Sequence, residues 1–156
     1  MQPLRVIVDS KGRTPLTARV FSEPGRTLLA SAKSVSPEEK QAYAQAGAEL
    51  LQLPSPEGWV DLHKLLKELG QREITSVLVE GGGILFGSLF DHGLVDKVIV
   101  FVAPIIIGGK EAKTAVAGNG VDKVVNSLKL ERVSVEKFGD DLMVSGYVSA
   151  KPQRQE

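Results

Sequence analysis

The chain reads as an α/β protein: a mostly parallel sheet covered by helices, closed by an antiparallel hairpin. Three observations carry this. Short β-rich apolar runs alternate with amphipathic segments at helical spacing over the first two thirds of the sequence, as parallel α/β units require. The last strand candidates, Leu128 to Phe138 and Leu142 to Ser149, are separated only by Gly139-Asp140-Asp141, a hairpin signal. Between the two patterns lies Val77-Leu78-Val79, then Glu80, three glycines and a helical segment.

Leu4 to Val8 is the first strand, ending in Asp9-Ser10 and the turn-rich Lys11-Gly12-Arg13-Thr14-Pro15. Arg26 to Ala32 follows the Glu23-Pro24-Gly25 turn as the second. Ser36-Pro37-Glu38-Glu39 is a helix start: a serine cap, proline at the first helical position, and glutamate three residues after the cap. Gly47 closes that helix, Ala48 to Leu53 forms a short strand, and Pro54 to Gly58 is a loop. Asp61 then caps a helix with Leu62, Leu65, Leu66 and Leu69 at i, i+3, i+4 and i+7, so its apolar face must pack on a sheet.

Val77 to Val79 has the composition of a buried parallel strand. Gly81 to Gly83 turn the chain into a helix carrying Ile84, Leu85, Leu89 and Phe90, closed by Gly93. Val98 to Val102 is almost wholly apolar and predicts a central strand buried on both faces. Pro104 to Gly120 is a long connection, too polar after Gly109 for a core element, and loops of that length tend to be functional or mobile. Residues 1–150 are expected to form one domain, and Lys151 to Glu156 a polar tail.

At 156 residues the chain can bury a core. Lys plus Arg and Asp plus Glu number 19 each, so nothing suggests a nucleic-acid footprint. Cysteine is absent, which removes disulfides, thiolate nucleophiles and cysteine-ligated metals. No apolar run spans a bilayer and no signal-peptide pattern opens the chain, so the expectation is a cytoplasmic protein without membrane contact.

The chemistry on offer is limited. No serine sits in a nucleophile-elbow pattern, and no His or carboxylate pair has metal-ligand spacing, so no metal is expected. His63 falls inside an amphipathic helix and His92 near a helix end, which suits surface and capping roles. What remains is phosphate and sugar binding. A strand, a glycine turn and a helix N-terminus together present backbone N–H groups to an anion. The spacing is neither a Walker loop nor a GxGxxG fingerprint, and Gly81 to Gly83 equally suit a tight turn with close helix packing. Glu80 fits a hydroxyl-bearing ligand, or simply a favourable acid at a helix N-terminus. Lys11 and Arg13 could meet a nucleotide phosphate, or form a solvated basic turn. A nicotinamide cofactor suits a site short of acid/base residues, because the cofactor carries the chemistry.

Four motifs, in order, resemble one family. They are Arg5-Val6-Ile7-Val8-Asp9-Ser10 with Arg13-Thr14-Pro15-Leu16; Leu78-Val79-Glu80-Gly81-Gly82; Leu94-Val95-Asp96-Lys97; and Ala103-Pro104 to Gly108-Gly109. They are similar to the reductase domain of the bifunctional riboflavin-biosynthesis deaminase/reductase, and the likeness covers nearly the whole chain.

The resemblance implies a dihydrofolate-reductase-like α/β/α sandwich, usually a homodimer. It implies NADPH-dependent reduction of the ribosyl group of 5-amino-6-(5-phosphoribosylamino)uracil to the ribityl group, with hydride passing to the sugar C1′ carbon. Glu80 would contact substrate. Gly82, Gly83, Ile84, Leu85, Phe86, Gly87 and Ser88 would hold the cofactor through the helix N-terminus, and Ser10 would also touch it. No catalytic acid or base is assigned. Two departures stand out. The zinc deaminase half, with its His-x-Glu and Pro-Cys-x-x-Cys ligands, has no counterpart. Nor does the reductase domain's first strand, with its Lys, Ser and Asp-Gly pair, so the chain resembles the later part of that domain. A reductase acting on the 2,5-diamino pyrimidine before deamination, and a non-catalytic nucleotide-binding or dimerisation fragment, are the alternative readings.

Overall fold

A computed structural model describes residues 2–149; the expected tail from Lys151 lies outside them. The chain divides into two compact units, Met1–Val77 and Leu78–Glu156, and each is described by itself.

The N-terminal unit is built on a parallel sheet of β1 (Arg5–Val8), β2 (Thr27–Ser31) and β3 (Ala48–Gln52), in that order. The register pairs Arg5 with Thr27 and Thr27 with Ala48. Flanked on both sides, β2 is buried at every position, with Leu28, Leu29 and Ala30 wholly inaccessible. A one-turn helix, α1 (Arg19–Ser22), precedes it and buries Phe21, whose ring meets Tyr43 edge-on at 6.0 Å.

The helix α2 (Pro37–Gln45) starts as the sequence predicts. Ser36 Oγ accepts from the Glu39 amide, and Glu39 Oε2 accepts from the Ser36 amide, so two orphan donors are satisfied reciprocally. The helix α3 (Leu62–Gln71) is capped by Asp61, which accepts from the Lys64 amide. It buries Leu62, Leu65 and Leu69 of the predicted stripe and leaves Leu66 half-buried. Arg72 beyond its end grips Glu49 of β3 through two parallel hydrogen bonds of 2.9 and 2.6 Å.

The C-terminal unit opens with α4 (Gly83–Asp91) and continues through β4 (Lys97–Val102), a short 3-10 turn at Val124–Asn126, β5 (Leu130–Phe138) and β6 (Asp141–Val148). Its sheet is antiparallel, in the order β4-β6-β5. The predicted hairpin is present, with Gly139 at φ 65° making the turn between Phe138 and Asp141.

Two expectations fail. Val77 to Val79 forms no strand: it pairs with nothing among the described residues, and Leu78 is 77% exposed. Val98 to Val102 is a strand but not a buried central one, since β4 has one neighbour among the described residues and exposes Ile99, Val100, Phe101 and Val102. The physical reason is shared. Apolar, β-branched composition says that a strand could be buried on both faces, but pairing and cover must come from other chain segments.

Candidate functional site

The glycine turn opens α4 although no strand precedes it. Gly82 is the N-cap of α4, with extended backbone at φ −79° and ψ 168°, and as glycine it brings no side chain to the cap. The amides of Gly81, Gly82 and Gly83 donate to no protein acceptor among the described residues. An uncapped helix N-terminus of this kind carries partial positive charge and unsatisfied N–H groups. Its donor set fits a phosphate, and a nicotinamide dinucleotide would present one there.

The glycines serve different ends. A Cβ on Gly82 would meet nothing within 4 Å, so this position is open to solvent or ligand. A Cβ on Gly83 would lie 2.7 Å from the Thr114 carbonyl oxygen, and one on Gly87 would lie 2.0 Å from that of Ala117. Gly83 and Gly87, four residues apart, thus leave a flat strip on which the segment 114–118 rests its backbone. The Ala117 amide donates to the Gly83 carbonyl at 2.9 Å. Asp91 secures the next residues, its carboxylate accepting from the amides of Asn119 at 2.8 Å and Gly120 at 3.3 Å. Gly83 and Gly87 thus permit close packing, while Gly82 leaves the helix end without a side-chain cap.

Of the residues expected at the cofactor, Gly82 to Ser88 fall in the cap and first turns of α4; Gly87 is buried, Ile84 is 70% exposed, and Leu85, Phe86 and Ser88 are half-buried. Glu80 stands exposed two residues before the cap. His92 ends the helix, its Nδ1 lying 2.7 Å from the Ser88 carbonyl oxygen, which agrees with a capping role.

Ser10 lies in the other unit. Its hydroxyl oxygen accepts from the Val60 amide at 3.0 Å, fixing the end of β1 to the 54–60 loop. Beside it, Asp9 is buried and committed internally: Oδ2 accepts from the Thr14 amide at 2.6 Å and from the Thr14 hydroxyl at 2.7 Å. Burial pushes the Asp9 carboxyl up, but donation by Thr14 and by the Arg13 and Lys11 amides outweighs it and holds the pKa below the ordinary value. A cleft of about 460 Å³ lies here, lined by Ile7, Val8, Asp9, Arg13, Thr14 and Pro15. Arg13 is the cation in its wall, whereas Lys11 rests over the Trp59 ring at 5.6 Å. No metal-binding cluster of carboxylates and histidines occurs among the described residues.

The sequence reading missed the docking of segment 114–118 and the internal use of Asp9. Gly83 and Gly87 at helical spacing hinted at the first, and a carboxylate opening a turn closed by threonine hinted at the second.

A parallel α/β sheet in the N-terminal unit, and a helix followed by an antiparallel sheet in the C-terminal unit, define an α/β protein. Comparison with known proteins narrows the class. Residues 1–144 match the RibD C-terminal domain, and the chain belongs to that family. It is 38% identical over 142 residues to the 2,5-diamino-6-ribosylamino-4(3H)-pyrimidinone 5′-phosphate reductase of Methanothermobacter thermautotrophicus, covering 91% of this chain and 64% of that one. It is 34% identical over 153 residues to the riboflavin biosynthesis protein RibD of Actinobacillus pleuropneumoniae, covering 97% of this chain and 40% of that one. Among solved structures, Acinetobacter baumannii RibD superposes with a TM-score of 0.76 at 26% identity, over 94% of this chain and 38% of that one. The expected α/β fold of the dihydrofolate-reductase type is therefore the fold of this chain. The chain spans less than two thirds of the length of these relatives.

Proposed function

We propose that this chain is the greater part of an NADPH-dependent reductase of riboflavin biosynthesis. The observation that carries the reading is the family match over residues 1–144, with an uncapped α4 N-terminus at the motif that matches the family's glycine turn. The substrate class is a phosphoribosylaminopyrimidine, 5-amino-6-(5-phosphoribosylamino)uracil in the first instance. NADPH, when bound, supplies the hydride. Reduction of ribosyl to ribityl adds that hydride at C1′, breaks the bond from C1′ to the ring oxygen, and returns a proton to that oxygen. Gly82 and Gly83 would offer amides to a cofactor phosphate, Ile84 to Ser88 would form the helix wall beside it, and Ser10 would add a hydroxyl. Glu80 would accept from substrate hydroxyls. A homodimer in the cytoplasm, where the nicotinamide pool is available, belongs to the same reading.

A second substrate is favoured by one observation: the Methanothermobacter relative is, by its name, a reductase of the 2,5-diamino pyrimidine. The deciding experiment follows absorbance at the nicotinamide band with each pyrimidine in turn. Substrate-dependent loss with either one supports a reductase, and the ratio of kcat/KM chooses the substrate. NADPH binding by calorimetry with no turnover on either would leave a nucleotide-binding module instead.

A further inference from the structure

The chain has two asparagines, Asn119 and Asn126, and they are held in opposite ways. Asn126 is tied down: its Nδ2 donates to Asp122 Oδ1 at 2.9 Å, and the amide of the following Ser127 donates to the Val124 carbonyl at 3.0 Å. Asn119 stands exposed between Gly118, at φ 101°, and Gly120, at φ 63°. Its side-chain amide makes no hydrogen bond among the described residues. A Cβ on Gly120 would meet nothing within 4 Å, so the space beside its nitrogen is open. Glycine also brings no side chain of its own to shield that nitrogen from the residue before it. The same two residues fasten their segment to the helix. Asp91, the last residue of α4, accepts from the Asn119 amide at 2.8 Å and from the Gly120 amide at 3.3 Å, beyond the bond from the Ala117 amide to the Gly83 carbonyl. The nitrogen best placed to attack Asn119 is therefore one of the donors in this clamp.

We propose that Asn119-Gly120 is a self-modification site, whose conversion to aspartate and isoaspartate releases segment 114–120 from α4. The Gly120 nitrogen forms a bond to Asn119 Cγ, and the bond from Cγ to Nδ2 breaks. The side-chain nitrogen leaves as ammonia, carrying the proton that the Gly120 nitrogen gives up. Water then opens the cyclic imide at either carbonyl. One opening leaves aspartate, and the other leaves isoaspartate with an extra methylene in the main chain. A water is consumed and an ammonia released, with no oxidant or reductant. Each stage acts on the clamp. The imide nitrogen carries no hydrogen, so Asp91 loses Gly120 as a donor. Either product then sets a second carboxylate beside that of Asp91, and like charges so close repel.

The test incubates the full 156-residue chain at mildly alkaline pH beside a synthetic peptide of residues 114–124, in which Asn119 is unrestrained. Peptide mapping by mass spectrometry reads the conversion at each asparagine, and an isoaspartyl methyltransferase counts the rearranged product. Exposed, weakly held loops open at little cost, so Asn119 in the folded chain should convert within about tenfold of the peptide's rate, with Asn126 intact. In the aged chain the Ala117 amide should exchange about tenfold faster than in the fresh one, as loss of its bond to Gly83 requires, with β2 unchanged. Asn119→Gln, whose longer side chain closes a larger ring far more slowly, should age without either change, which assigns the loosening to this site. Asn119 left intact after the peptide has converted overturns the proposal. So does conversion of Asn126 at the same rate, which would report unfolding rather than a site. Conversion of Asn119 with unchanged Ala117 exchange overturns the release.

Discussion

The two units solve the problem of sheet cover differently. In the N-terminal unit β2 lies between β1 and β3, and its Leu28, Leu29 and Ala30 are completely dry. In the C-terminal unit β4 is at least as apolar, yet its side chains stay about half exposed. Apolar composition is thus no lower in β4, and what differs is the number of paired neighbours among the described residues. Burial follows from partners, and stability follows from burial.

The largest effect expected from this contrast is at Leu29. Leu29→Ala removes a side chain with no exposure and should cost about 2–5 kcal/mol. Val100→Ala, at a position 44% exposed, should cost under about 1 kcal/mol. Urea unfolding monitored by amide exchange in each strand measures both. Equal losses would break the contrast by showing that β4 is covered in solution.

A second prediction concerns Gly87. Alanine in a helix interior ordinarily gains about 1 kcal/mol over glycine. Here its Cβ would fall 2.0 Å from the Ala117 carbonyl oxygen, which is backbone and cannot swing aside. Gly87→Ala is therefore expected to destabilise by about 1–3 kcal/mol, as overpacking does. The Ala117 amide, now bonded to Gly83, should exchange faster. A more stable Gly87→Ala variant with unchanged Ala117 exchange would show that segment 114–118 is not seated on α4.

What the sequence disclosed follows the range of the interactions. The Ser36 capping box, the Asp61 cap, the Gly139 hairpin and the passage from Gly81 into α4 all depend on residues within about four positions of one another, and each appears as read. The candidate site was legible to the same extent: the uncapped turn at Gly82 was foreseen, and its loop partner was not. Val77 to Val79 and β4 show why. Their composition is local, but their pairing requires segments far away in sequence, and no periodicity names those segments. Asp9 is an intermediate case, whose carboxylate is taken up by Thr14, only five residues distant.

Asp9 therefore gives a pH test confined to the N-terminal unit. Its folded-state pKa lies below the ordinary aspartate value, so the unfolded chain binds this proton more readily. The stabilisation is present above the unfolded value and is lost as pH falls through the folded one. Asp9→Asn keeps an acceptor for Thr14 but removes the charge assistance, and should cost about 1 kcal/mol at neutral pH. The difference between the parent and the variant should vanish in acid. A difference that persists unchanged below the carboxylate range would show that shape, not charge, holds the 9–14 turn.

The smallest expected change in stability is also the most informative about function. At Gly82 the backbone is extended as an N-cap requires, and an added side chain meets nothing. Gly82→Ser should place a hydroxyl where it accepts from a first-turn amide of α4, stabilising the unit by a few tenths of a kcal/mol. The same hydroxyl occupies the donors that a phosphate would use, so the gain in stability should be accompanied by weaker NADPH binding in calorimetry. Gly82→Ala brings a methyl group of similar reach but no acceptor, and separates bulk from hydrogen bonding. If serine weakens binding more than alanine does, the amides are the phosphate's partners. If both variants bind NADPH as the parent does, the open end of α4 takes no part in cofactor binding, and only Gly83 and Gly87 have an explanation, their packing against segment 114–118.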